Sequence, residues 1–434
     1  MNSEEFKKRR RQLMSMVGQG GIVILPAAPV RMRSRDVEYR FRQDSDFFYM
    51  TGFAEPEAVA VLIPGREKGE YLLFCRERNK KREQWDGLRA GQRGAVDQYG
   101  ADDAFPIEDL DDILPGIMES CDRVYYTMGM YSEFDSRMAD WVNTLRSRLR
   151  RGTQTPHEFV ALDHLLHDMR LYKSRSEISA LRKSAKVAVE AHKRAMRVTR
   201  PGLFEYEIEA EFIHEFRQND ASNSYSPIVG GGKNACVLHY IDNNAELKDG
   251  DLLLIDAGCE LDYYASDVTR TFPINGKFSP EQLAVYEIVL AAQEAAIEKI
   301  IVGNHWNEPH DAAVKVITKG LKKLGLLEGS LGNLIKTAAY QPFYMHRTGH
   351  WIGMDVHDVG DYKVGNKWRM LEVGMVTTVE PGIYIGNNRK IPKAFRNIGI
   401  RIEDDVAISN KGPDILSRDL VKEPDAIESL MNDG

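Results

Sequence analysis

The apolar and polar positions of this chain fall into two patterns that divide it near residue 175. In the first part, short apolar runs at residues 22–25, 58–63, 71–74 and 124–126 read as strands. Between them, residues 4–17 and 136–150 read as helices. The mixture predicts an α/β domain over residues 1–175, a small sheet covered by helices. The second part, residues 176–434, opens on a long helical stretch closed by Pro201-Gly202, a strong stop signal. A second helix over 205–218 follows, then hairpin-like strands, helices near 280–301 and 308–324, and a strand-rich end, predicting an α+β domain.

Composition narrows the field. A chain of 434 residues, 43% hydrophobic and 28% charged, is globular and long enough for two cores. The net charge of -7 argues against a nucleic-acid partner, which selects for a basic face. The basic run Lys7 to Arg11 is expected on the solvated side of the first helix. No apolar run approaches the roughly 20 residues of a membrane span, and no secretory signal is visible, so the expected location is cytoplasmic. The four cysteines form no CxxC pair and are expected as buried free thiols, as in a reducing compartment.

The segment from Asp249 to Phe272 carries the first candidate chemistry. Leu252 to Ile255 form an apolar strand that ends in Asp256, and polar residues 260–262 then reverse the chain towards Asp267. A hairpin centred on that turn sets Asp256 across from Asp267, with Cβ atoms about 5 Å apart. Carboxylates so close repel, and either a proton or a cation must relieve them. Alternatively, one of the two points past the sheet edge into solvent.

Three further segments weigh towards the cation. His346, His350 and His357 fall within twelve residues punctuated by glycines, which permit close backbone approach. Residues 374–384 read as a strand ending in Glu380 ahead of a Pro-Gly turn. Residues 399–408 alternate as a half-buried strand, with Arg401 and Glu403 on one polar face. His164 and His167 share a helix face at HxxH spacing, but no third ligand is evident, and an ordinary surface or core helix is the expectation.

Asp256, Asp267, His350, Glu380 and Glu403, in this order and in these motifs, resemble the pita-bread metallopeptidases. That family includes methionine aminopeptidase, prolidase, aminopeptidase P and creatinase. Residues 42–53 and 55–59 resemble the N-terminal domain of aminopeptidase P, so the resemblance spans essentially the whole chain. It implies a pita-bread catalytic domain over 176–434 with two divalent ions. Asp267 and Glu403 would bridge them, Asp256 would chelate one, and His350 and Glu380 would complete the other. So oxygen-rich a donor set favours Mn²⁺, with Zn²⁺ or Co²⁺ as alternatives.

The implied reaction is release of the first residue from peptides with proline second. A metal-bound hydroxide would attack, with Glu380 as proton shuttle. His239 and His357 would flank the scissile bond, His357 serving its carbonyl. His346, Arg401 and Tyr384 would line the proline side, although His346 and Tyr384 also suit packing beneath the site. Asp36 and Trp85 are N-terminal residues able to reach an active site in their own or a neighbouring subunit, and a homodimer or homotetramer is implied. The rival activity is prolidase, an X-Pro dipeptidase with the same five ligands. A non-catalytic binding protein of this fold is disfavoured because all five are present.

Overall fold

A computed structural model describes residues 3–119 and 121–432. It divides into two compact units, Met1–His167 and Asp168–Gly434.

The first unit is built on a six-stranded mixed sheet. In spatial order its strands are Asp103–Pro106, Tyr71–Cys75, Val59–Leu62, Gly21–Pro26, Arg123–Tyr125 and Glu158–Val160. The central strands run antiparallel, and the outer pairings are parallel. Val59–Leu62 and Tyr71–Cys75 are buried at every position, which is why they read as unbroken apolar runs. The two edge strands are short and partly exposed, and apolar patterning does not reveal them. Helices Leu110–Met118 and Ser132–Ser147 bury Leu114, Met118, Met138, Trp141 and Leu145 in the core formed with the sheet.

The basic run corrects one expectation. Arg9 and Arg10 of the first helix, Ser3–Val17, are buried, not solvated. Arg9 Nη1 donates to the Tyr49 carbonyl at 3.0 Å and Arg10 Nη1 to the Met50 carbonyl at 2.9 Å. These carbonyls end the helix Ser45–Thr51, where the last turn lacks intrahelical donors. Each guanidinium also stacks on a tyrosine, Arg9 on Tyr49 at 3.8 Å and Arg10 on Tyr71 at 4.2 Å.

In the second unit, the long helix Arg175–Val198 starts at a capping box formed by Ser174 and Glu177. It is followed by helix Glu205–Gln218. A three-stranded antiparallel sheet has Leu252–Asp256 at its centre, between Ile228–Gly231 and Thr269–Pro273. Helices Pro280–Ile297 and Glu308–Lys323 contribute Val285, Val289, Val314 and Ile317 to one large core with these strands.

Two further sheets carry the C-terminal site residues, the second also pairing with Gly412–Ile415. Gly382–Ile385 pairs with Ile398–Arg401, and Val376–Val379 pairs with Asp404–Ser409. The half-buried alternating strand expected over 399–408 is therefore two strands in two sheets, with Ile398–Arg401 and Asp404–Ala407 buried throughout. Its polar residues stay inside because they are paired. Arg270, fully buried, lies 2.8 Å from Asp404 Oδ1, and Ser417 donates to the same oxygen at 2.7 Å. Both ladders break at the same place. Val379 faces Asp404 and Gly382 faces Arg401, so the shared register sets Glu380 opposite Glu403.

Candidate metal centre

The hairpin that carries Asp256 and Asp267 turns one position later than the sequence suggests. Its reversal is Asp262-Tyr263, both at positive φ (52° and 68°), the two-residue turn that matches strand twist. Asp256 therefore pairs with Thr269, not with Asp267. The two aspartates are diagonal neighbours on one face, which still lets their side chains converge. Gly258 allows the approach: a Cβ there would lie 1.7 Å from the Ser266 carbonyl oxygen.

The convergence is direct. The Tyr225 hydroxyl lies 2.5 Å from Asp256 Oδ1 and 2.6 Å from Asp267 Oδ1. His350 Nε2 stands 3.3 Å from Asp267 Oδ2 and 3.9 Å from Glu380 Oε1. Asp267, His350 and Glu403 each present a ligand atom within 4.8 Å of the others. Thr269 Oγ1 donates to Glu403 Oε2 at 2.6 Å and so orients it. Arg401 feels the charge of Glu403, as the strand alternation suggested, and both meet Thr269 Oγ1. Arg401 also pairs with Asp256 at 2.5 Å and donates to the Tyr384 hydroxyl at 2.7 Å.

His346 Nδ1 lies 2.8 Å from the Arg347 carbonyl, so Nδ1 carries the proton and Nε2 accepts from the Tyr384 hydroxyl at 2.9 Å. His350 follows the same logic. Its Nδ1 donates to the Trp351 carbonyl at 3.0 Å, which aims Nε2 at Asp267 as a ligand atom. His357 stands edge-on to His350, with ring centroids 4.3 Å apart. His239 and His357 are exposed on the wall of a cavity of about 910 Å³, which the five residues and His346 also line. Tyr384 and Thr269 stand behind that wall.

Asp36 and Trp85 belong to the first unit and are exposed, Trp85 by 86%. His164 and His167 sit on helix Asp163–Leu171, and His167 lies 3.7 Å from Asp46. Sequence reasoning missed Tyr225 and Thr269. Tyr225 lies outside every charged motif and Thr269 within the Asp249–Phe272 segment, but the folded register is what brings both to the carboxylates.

The electrostatics are those of a site with excess negative charge. Burial, then the charges of Asp267, Glu380 and Asp256, holds Glu403 well above the usual carboxylate range. Burial also raises Glu380 to about 7, against the pull of His350 and Arg401. Asp256 is raised by burial despite Arg401. Asp267 feels the same burial, but the His350 hydrogen bond and charge outweigh it and hold the carboxyl low. His350 is reciprocally lifted to about 9, its burial overcome by Asp267. Four carboxylates thus crowd one imidazole and one guanidinium in a buried pocket. Divalent cations fit such a donor set, because they relieve the repulsion that otherwise forces protons onto Glu380 and Glu403.

Comparison with known proteins agrees with this geometry. Residues 179–410 match the family model described as Metallopeptidase family M24, and residues 6–125 match Aminopeptidase P, N-terminal domain. The chain is 43% identical to a Xaa-Pro aminopeptidase of Escherichia coli, over 99% of this chain and 98% of that protein. Aminopeptidase PepP of Pseudomonas aeruginosa shares 59% identity and superposes with a TM-score of 0.99, covering 100% of this chain and 98% of that one. A zinc-substituted E. coli aminopeptidase P in complex with product shares 42% identity and a TM-score of 0.97, covering 100% and 99%. These matches extend over both units, and the chain belongs to metallopeptidase family M24, its pita-bread catalytic domain preceded by an aminopeptidase P N-terminal domain.

Proposed function

We propose that this protein is a Xaa-Pro aminopeptidase that releases the first residue of peptides with proline second. The observation that carries the reading is the convergence of Asp256, Asp267, His350, Glu380 and Glu403 in one buried cavity of a chain alike over its full length to such enzymes. These five residues would hold two divalent ions, Mn²⁺ by the hardness of the oxygen donors. Zinc suits the same donors, as the zinc-substituted relative illustrates for its own site. Ions bound there would supply a water acidified enough to be nucleophilic near neutral pH.

The chain's own groups do the rest. Glu380 would take a proton from that water and return it to the proline nitrogen, which must be protonated to leave. His357, on the cavity wall beside His350, would donate an N–H to the scissile carbonyl. His239 stands on the other side of that bond. Arg401, held by Asp256 and Tyr384, and His346, held by Tyr384, present a fixed wall to the proline ring. Peptides are the substrates, nucleic acid and membrane are not partners, and a cytoplasmic homodimer or homotetramer is the expected form. Among the described residues no helix is long and apolar enough to cross a membrane. The domain boundary we assign near residue 175 places the start of the long helix, and every site residue, in the catalytic half.

The deciding experiment starts from chelated protein, to which Mn²⁺, Zn²⁺ or Co²⁺ is returned singly. A tripeptide with proline second is then offered beside an X-Pro dipeptide. Metal-dependent release of the first residue from the tripeptide is expected. Turnover of the dipeptide alone would make the protein a prolidase, and undiminished turnover after thorough chelation would refute the metal centre.

A further inference from the structure

An ion cluster is buried directly behind the loop that carries His350 and His357. Asp358, next to His357, has a side chain only 1% exposed. Its Oδ1 accepts from Arg170 Nη2 at 2.6 Å, and its Oδ2 pairs with Lys173 Nζ at 2.9 Å. Both cations are as buried as the carboxylate, at 3% and 1%. Arg170 Nη2 also reaches Asp355 Oδ2, at 2.7 Å.

The loop closes tightly around this cluster. The Asp358 N–H donates to the Trp351 carbonyl at 2.9 Å, and the Gly353 N–H to the Asp355 carbonyl at 3.1 Å. Gly353 is pressed against the ions: a Cβ there would lie 2.1 Å from Asp358 Oδ2 and 2.8 Å from Lys173 Cε. The cluster is tied on both sides to elements of the metal centre. The Lys173 N–H donates to Gly374, ahead of the strand that leads to Glu380, and the Gly353 carbonyl accepts from Ala265, two residues before Asp267.

Buried ion pairs seldom stabilise a fold better than apolar residues of the same volume, and their attested use is to select one arrangement. We infer that Arg170 and Lys173 are positioning residues for peptide hydrolysis: through Asp358 they lock the loop between His350 and His357, so that both imidazoles face the same scissile bond. The inference rests on the aminopeptidase reading. Neither cation lines the cavity, so neither meets the substrate directly.

The test uses the full-length protein and the variants Lys173→Met, Asp358→Asn and Arg170→Lys. For each, kcat and KM on the tripeptide are normalised to the folded fraction from circular dichroism. Imidazole resonances are recorded on protein carrying isotope-labelled histidine. For Lys173→Met and Asp358→Asn, kcat is expected to fall roughly 10- to 100-fold, as for a displacement near 1 Å, with KM within about twofold. The His350 and His357 resonances should shift or broaden. Arg170→Lys keeps the charge but cannot reach both aspartates at once, so a smaller loss is expected. If Asp358→Asn does not fold, Lys173→Met decides, since it leaves Asp358 paired to Arg170. Folded variants with wild-type kcat and unmoved histidine resonances would overturn the inference. If the wild type itself fails to cleave the tripeptide, the functional reading fails, and the resonances still decide the positioning role.

Discussion

Gly258→Ala is a single-methyl perturbation whose consequence can be worked from the structure. The added carbon would lie 1.7 Å from the Ser266 carbonyl oxygen and 2.5 Å from its carbon, whereas ordinary contact begins at 3.4 Å. The obstacle is backbone, so no side chain can swing away; the strands around Asp256 and Asp267 must separate by more than 1 Å. The bonds in the way are the Ala257 N–H to Val268 (3.1 Å) and the Ser266 N–H to Cys259 (2.8 Å). Losing both costs about 2 kcal/mol net, and overpacking adds about 1–3 kcal/mol, a total of roughly 3–5 kcal/mol. Displacing Asp267 by about 1 Å should also lower kcat by about 100-fold. Urea unfolding, metal stoichiometry and tripeptide turnover measure the three effects. Gly332→Ala, in a helix with nothing within 4 Å of the new carbon, is the matched control and should be neutral or slightly stabilising. If Gly258→Ala unfolds at the wild-type urea midpoint and turns over within twofold, the close approach of the two strands is not what positions the aspartates.

Other expectations follow from the same geometry. Glu380→Gln should retain part of its metal but lose about 10²- to 10⁴-fold in kcat, the usual worth of a positioned acid–base group; near-wild-type turnover of the metal-loaded variant would exclude the shuttle role. Asp267→Ala should reduce metal content by elemental analysis, because it removes a carboxylate from the donor set shared with His350 and Glu403. Asp358, although burial pushes it up, is held below its ordinary value by Lys173 and Arg170, so its folded pKa lies under its unfolded one. Its contribution to stability should therefore be complete above about pH 4 and vanish as pH falls further. The gap in urea midpoint between wild type and Asp358→Asn should close over that interval, and a gap that widens on acidification would contradict the sign.

Much of this molecule could be read before folding. The helix Glu205–Gln218 follows from periodicity and the strand Leu252–Asp256 from its unbroken apolar run, because both pack into one core. The five residues that converge were singled out from sequence by the resemblance of their order and local motifs to the pita-bread metallopeptidases. What failed were statements about which residue faces which. Register depends on turn geometry, and positive φ at Asp262 and Tyr263 moved the partner of Asp256 from Asp267 to Thr269. Alternation placed Arg401 near Glu403, whose charge it feels, but gave no sign of its ion pair with Asp256 or its bond to Tyr384.

Arg9 and Arg10 looked solvated because charge density in a sequence says nothing about carbonyls waiting 40 residues away. The contacts of Tyr225 and Thr269 with the carboxylates, and of Arg170 and Lys173 with Asp358, could not be read from local sequence. Periodicity and motif record what a residue is and which face it occupies. Partners across the core are chosen by long-range packing and by the need to neutralise every buried charge, and those conditions exist only once the chain has closed on itself.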